Sequence, residues 1–307
     1  MAQNPESRIV SRDPENLIYA FSPANPPCCE IAPGEAVIVE TQDCFCGQIQ
    51  GPDDLFEKVG WDRINPATGP IFVQGALPGD TLAVEILDIR VLSPGVMVAV
   101  PNMGAAGHRI TESRSMLIPL RNGLAHLPGD IILESHPMIG VIGTSPKEGS
   151  VATGTPGPHG GNLDSKVIAE GSTVYLPVNV PGALLALGDL HALMGDGEVL
   201  ICGVEVAGTV TLRTRLLKGL SLPCPVVETE DAVYLIWSEE TLDSAAEAVV
   251  DKSASLLAQT LRIRDEEALC LLSARGNLQV CQIVDPLKTV RMEIPKYLFK
   301  GNYPWPT

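Results

Sequence analysis

The stretch "GPIFVQGALPGDTLAVEILDIRVL", residues 69–92, decides the fold. Its apolar and β-branched residues run in short bursts bounded by Gly and Pro, the pattern of strands rather than helices. It predicts a strand at 70–74, a turn on Leu77-Pro78-Gly79-Asp80 and a long strand at 81–92. The "LPGD" tetrapeptide returns at 127–130, again followed by an apolar run, "IILESHPMIGVIG". Upstream, "EAVIVETQDCFCGQI" alternates in the same way, and residues 17–51 read as short strands. Downstream, strand signals resume at "GSTVYLPVNVPGALLALGDLHAL" and "EVLICGVEVAGTVTLRTRLL". No fixed-period repeat appears, which argues against solenoids and propellers.

The character changes near residue 220. Apolar residues recur at helical spacing from Leu242 to about Arg262, and Ser238 is placed to cap that helix. Asp265 is placed to cap a shorter helix that stops at Gly276. "NLQVCQIVDPLKTVRMEIP" then reads as strand, turn, strand. The expectation is a mainly β fold with a smaller α+β part. Residues 1–220 form a β-rich, sandwich-like body carrying the site, and residues 221–307 a lobe that holds the helices.

Composition narrows the function. With 45 % hydrophobic and 19 % charged residues, the 307-residue chain is globular and large enough for a substantial core. A net charge of −16 gives no electrostatic footprint for nucleic acid or an anionic membrane. No run of about 18 apolar residues suggests a membrane span. The N-terminal "MAQNPESRIVSRDPEN" does not resemble a signal peptide. The expected location is the cytoplasm, where the eight cysteines are reduced. Cys28–Cys29 and the C-x-C at Cys44 and Cys46 have no partner pair at zinc-site spacing and read as buried thiols.

Two stretches carry chemistry. "LALGDLHALMGDGEVLICGVEVAG" (185–208) sets Asp189, His191, Asp196 and Glu198 between apolar runs, with Glu205 inside the second. On a strand Asp189 and His191 share a face, and a turn at Gly195-Asp196-Gly197 would bring Glu198 back toward them. Carboxylates with an imidazole suit a divalent metal. The alternative is a solvated turn with His191 at an edge. Glu205 reads either as a solvent-facing strand residue or as a desolvated carboxylate suited to general-base work. The second stretch, "TPGPHGGNLDSK" (155–166), lies in a Gly/Pro-rich loop spanning 144–166. It holds His159, Asn162 and Asp164, with Gly160 and Gly161 permitting close backbone approach to a ligand. It is no phosphate loop, because no Gly-Lys-Ser/Thr follows. Asp43 is unremarkable alone. His108, His126 and His136 have no acidic or cysteine neighbours at ligand spacing.

Three blocks, "NPATGPIFVQGALPGDTL" (65–82), "TPGPHGGNLD" and "LALGDLHALMGDGEVLICGVEVAGTVTLR" (185–213), resemble the acetamidase/formamidase family in order and spacing. The segment "LLSARGNLQVCQIVDPLKTVRMEIPK" (271–296) resembles its closing part. The resemblance implies a β-sandwich-like body, a homo-oligomer and hydrolysis of short linear amides to carboxylate and ammonia at a metal-assisted site. Asp43, His159, Asn162, Asp164, Asp189, His191, Asp196, Glu198 and Glu205 fall on its pattern. On this reading Asp43, Asp164, Asp189 and His191 bind a divalent metal, zinc foremost and calcium as the alternative. Glu198 or Glu205 is the base, Asn162 donates to the oxyanion and His159 assists. Gly160, Gly161, Met194 and Asp196 meet the substrate. Two positions depart from the pattern: Met194 stands where glutamine is usual and Gln74 where glutamate is frequent. A thioether is a poor hydrogen-bond partner, so Met194 is expected to favour a longer or more apolar acyl group than formyl. Two rival readings stay open: a non-catalytic calcium-binding β-sandwich, and an amidohydrolase acting on a cyclic or urea-like C–N bond.

Overall fold

A computed structural model describes residues 8–305. The first seven residues of the N-terminal stretch read above for a leader lie outside them. Strands dominate, and the two α-helices, α1 (Leu242–Leu261) and α2 (Asp265–Arg275), both fall in the C-terminal quarter.

Two nine-stranded sheets form the body. At the heart of the first, Gly208–Leu217 pairs antiparallel with Ala36–Thr41 on one side and Thr81–Val91 on the other. In the second, Leu185–His191 pairs antiparallel with Met138–Gly143 and Ala67–Val73. One apolar core lies between the sheets, joining Val37, Val39, Val84 and Leu212 of the first to Ile71, Ile142, Leu187 and Leu190 of the second. That is a sandwich, made by the alternation seen in the sequence. The expected turn forms as read: Asp80 N–H donates to the Leu77 carbonyl and the Asp80 carboxylate accepts from Leu77 N–H.

The first sheet runs across residue 220 without a break. Thr173–Pro177 pairs with Val226–Glu228, followed by Ala232–Glu239, Lys288–Pro295 and Asn277–Gln282. α1 packs on the Ala232–Glu239 and Lys288–Pro295 strands, and its core also takes in Ala83, Tyr175 and Leu217.

Local starts differ from expectation in instructive ways. Ser238 does not cap α1, because the strand continues to Glu239 and the Ser238 hydroxyl is bonded to that of Thr289 across the ladder. Thr241 is the cap, its side chain accepting from Ser244 N–H. α2 begins with Asp265 as its first helical residue. Arg264 is the cap, and Glu267 reaches back to accept from Arg264 N–H. The loop at 144–166 contains two short strands, Val151–Ala152 and Gly160–Asn162.

The loop after His191 is tied to the C-terminal hairpin. Gly197 N–H donates to the Cys281 carbonyl, and Ile283 N–H donates to that of Gly197. Beside it the Arg291 guanidinium, 1 % exposed, grips both oxygens of Asp196 at 2.9 and 2.8 Å. Removing the carboxylate leaves a buried cation short of partners, so Asp196→Ala is expected to cost ~3 kcal/mol. Chemical denaturation reads it, and Asp196→Ala with Arg291→Met should recover part of the loss. An unchanged midpoint in the single variant would show that the clamp carries no stability.

Candidate active site

The strand Leu185–His191 is buried along its whole length, and its last turn of sequence brings in two ionisable groups. His191 Nε2 points into a ring of carboxylates: 3.1 Å from Glu205, 3.7 Å from Asp164, 3.8 Å from Asp189 and 4.0 Å from Glu198. Glu205 stands directly opposite His191 in the ladder. Asp164 follows the Gly160–Asn162 strand, which pairs on the far side of Met138–Gly143. Glu198 does not begin a return strand; it sits in the loop, and the chain re-enters the sheet only at Glu205.

Backbone strain accompanies the cluster. Asp164, Asp189 and Glu198 have φ of 41°, 55° and 45°, the left-handed region that L-residues avoid. Each such residue costs about 1–3 kcal/mol and persists only where its surroundings impose it. Gly140 supplies room: a Cβ there would lie 2.5 Å from Asp164 Oδ1 and 2.7 Å from Asp189 Oδ2. Gly203 does the same for His191, whose Nδ1 would lie 2.8 Å from an added Cβ.

A further carboxylate joins from the C-terminal hairpin. Asp285 Oδ2 accepts from Asn162 Nδ2 at 3.0 Å, and Lys288 Nζ donates to the Asp285 backbone carbonyl. Sequence reasoning missed Asp285, as it missed Cys44, which lies with Asp189 and Glu205 close enough to share one ion. Asp164, His191 and Glu198 form a second such group, all three buried.

Burial with mutual repulsion disfavours charge on these acids. Burial, partly offset by His191, lifts Asp164 to about 6 from an ordinary 3.8. It lifts Glu205 from 4.5 to about 8. Glu198 and Asp285 are raised well above their usual range by burial and by Asp164. Burial alone would lower His191, but Glu205 and Asp189 outweigh it and hold the imidazole well above its ordinary value. Both oxygens of Asp164, Oδ1 of Asp189 and Oε2 of Glu205 are buried with no hydrogen-bond donor. Such orphaned acceptors around one imidazole fit a divalent cation, which would answer the repulsion that otherwise holds protons on the acids.

The remaining candidates take other places. Asp43 accepts N–H groups of Phe45 and Gly47 and so organises its own loop. His159 is buried against the edge of Phe21, held down to about 4 by burial, with Nε2 unpartnered and no place in either ion-sized group. Gly160 and Gly161 are bare because chain crosses them: an added Cβ would lie 2.2 Å from the Ile142 carbonyl oxygen and 2.3 Å from that of Thr155. Asp196 is engaged by Arg291 and Lys166. Met194 Sδ lies behind the imidazole, 3.3 Å from His191 Nδ1. Gln74 is exposed at the surface.

Asn162, Asp189, Glu198, Glu205 and Asp285 line a cavity of about 830 Å³. A strained, buried cluster of ionisable groups opening onto a cavity marks this as the candidate functional site.

The chain belongs to the acetamidase/formamidase family, whose model matches residues 6–149 and 147–299. It is similar to the crystal structure of an acetamidase from Bacillus halodurans: 46 % identity, 96 % of this chain and 99 % of that one covered, TM-score 0.93. A second structure, from Thermoanaerobacter tengcongensis and described as a predicted acetamidase/formamidase, gives 45 % identity, 96 % and 97 % coverage and a TM-score of 0.93. A formamidase of Methylophilus methylotrophus is 28 % identical over 64 % of this chain. The chain spans just under two thirds of the length of the curated relatives it matches, 63 % in that case and 65 % in two others.

The acid shifts fix the sign of a pH effect. A carboxyl whose pKa is raised by folding binds its proton more tightly folded than unfolded, so stability is lost as pH rises between the two values. Glu205 spans 4.5 to about 8 and Asp164 spans 3.8 to about 6. The raised His191 acts in the same direction, its stabilising charge being lost as pH rises. The depressed His159 acts the other way between about 4 and 6.5, so the comparison is made above that window: chelator-treated protein should melt at lower temperature at pH 8 than at pH 6.5. Saturating divalent metal should flatten that slope, and Glu205→Gln should reduce it. A chelated protein that melts higher at pH 8 would contradict the assignment.

Proposed function

We propose that this chain hydrolyses the C–N bond of short linear amides of the formamide and acetamide kind to carboxylate and ammonia, using metal-activated water. The observation that carries the reading is Glu205, with an unpartnered Oε2, facing the cavity beside the Asp164–His191–Glu198 group.

Asp164, His191 and Glu198 would hold the metal, with Asp189 adjoining them and the Cys44 group. An imidazole with carboxylates favours zinc, and calcium is the alternative for an oxygen-rich set. Bound by these residues, a divalent cation would supply a water of lowered pKa, toward ~7, and a polarising contact for a carbonyl oxygen. Glu205 Oε2 would take the proton released by the attacking water and deliver it to the leaving nitrogen, which departs only if protonated. Asp285 fixes Asn162 by accepting from its Nδ2, which leaves the Asn162 Oδ1 without a partner. That oxygen is suited to accept an N–H of the substrate carboxamide, and the second hydrogen on Nδ2 to donate to the developing oxyanion.

Ammonia release from formamide, acetamide and propionamide tests this directly. Release should vanish on chelation and return with one stoichiometric divalent metal, identified by elemental analysis. Glu205→Gln should lower kcat by about 10²–10⁴-fold. Turnover that survives complete metal removal would overturn the metal's role, and no turnover of any amide would overturn the activity.

We place the chain in the cytoplasm, supported by eight free cysteines. No helix among the described residues is long and apolar enough to cross a membrane. We also propose a homo-oligomer. The strand Ile131–Glu134 is exposed throughout, and Ile131, Ile132 and Leu133 are 54, 53 and 45 % accessible, a hydrophobic edge of the kind that monomers cover. Sedimentation velocity should show more than one protomer for the native chain and a smaller species for Ile132→Lys with Leu133→Lys. A monomeric native chain would refute it.

A further inference from the structure

The cavity is far larger than a formamide or acetamide needs. At about 830 Å³ it lies in the upper part of the ~300–1,000 Å³ range of sites that enclose drug-sized ligands. Its polarity is divided. The ionisable groups gather at the floor, while one wall is a ladder of aromatic rings. Phe45, next in sequence to Cys44, meets Phe56 edge-on at 6.1 Å between centroids, and Phe56 meets Trp61 edge-on at 5.2 Å. Phe45 and Phe56 are buried, whereas Trp61 is 61 % exposed. The ladder thus runs from beside the acidic floor out to solvent. Ile64 and Met103 extend the same apolar surface.

This wall is a built feature. Phe45 and Phe56 belong to a separate apolar cluster with Ile49, Val59, Val98 and Val100, which fixes their rings from behind. Met194, the departure singled out in the sequence, is not on the wall; it lies behind His191.

Resting on the amidase reading above, we infer that the preferred substrates are primary amides with an extended uncharged acyl group, aliphatic or aromatic, lying along the Phe45–Phe56–Trp61 wall with the carboxamide at the acidic floor. A two-carbon amide leaves the wall wet. A longer acyl chain removes apolar surface of both ligand and wall from water, worth about fourfold per buried methylene. An anionic acyl group is disfavoured because the acids at the floor and Asp62 outnumber the one cation on the lining, Lys288, whose Nζ donates to the Asp285 carbonyl.

The test compares kcat/KM for formamide, acetamide, hexanamide and phenylacetamide, with amide binding followed in parallel by tryptophan fluorescence. The expected result is at least a tenfold higher kcat/KM for hexanamide than for acetamide. Trp61→Ala, at an exposed position that folding tolerates, should reduce that ratio at least fivefold. Hexanamide and phenylacetamide should also perturb the native fluorescence, and Trp61→Phe should abolish the change. A series that is flat or falls beyond acetamide, with acetamide itself turned over, overturns this inference and leaves the amidase standing. Failure of every amide to react or bind overturns both. A Trp61→Ala protein with native selectivity but a smaller sedimenting species would assign the wall to a second copy of the chain and overturn the inference.

Discussion

Carboxylates that repel one another have been brought within a few ångströms of a single imidazole, in a place where water gives little screening. Asp164, Asp189, Glu198 and Glu205 all lie within 4.0 Å of His191 Nε2. Left alone such a cluster resists folding, since each desolvated charge is costly and its neighbours add to the cost. The surrounding structure is what overrides that resistance. Two apolar strands clamp Leu185–His191, Gly140 and Gly203 clear the space, and three acids accept left-handed backbone. The sandwich core supplies the stabilisation that the site consumes.

Roles within the cluster follow from second contacts more than from residue type. Asp196 and Asp189 lie seven positions apart on one stretch, yet Asp196 is neutralised by Arg291 and Lys166 whereas Asp189 keeps an orphaned oxygen. Asp43 spends its carboxylate on loop N–H groups. Met194 faces the ring nitrogen remote from the acids, where a thioether offers His191 little orientation. An acid is available for chemistry only where the fold leaves it unpartnered.

Much of this was legible in the sequence, for physical reasons that also mark where legibility ends. Strands at 69–92 and the C-terminal helices were readable because burial periodicity and turn residues are local properties. The crowding of ionisable residues at 189–205 between apolar runs, and the His159, Asn162 and Asp164 group in the Gly/Pro-rich loop, pointed to the cluster, since a chain seldom sends charges into a core without use. Asp285 was not legible. It lies in the unremarkable "VDPLK", and its bond to Asn162 spans 123 residues. Cys44 read as a plain thiol because Asp189 and Glu205 approach it only in three dimensions. The cap at Thr241 was missed because Ser238 is claimed by a cross-strand partner. In each case a local signal was overruled, or a silent residue recruited, by contact from far along the chain.

The continuity of the first sheet across residue 220 has a consequence for biosynthesis. During translation the chain emerges with Asp164, Asp189, His191, Glu198 and Glu205 already made, while Asp285 and the hairpin that braces Gly197 and Asp196 are still to come. The segment up to Glu205 by itself thus lacks Asp285 and the Gly197–Cys281 and Asp196–Arg291 ties that hold the site loop. Completion of the centre therefore depends on strands that follow residue 220, which extend the first sheet and carry Asp285 to Asn162.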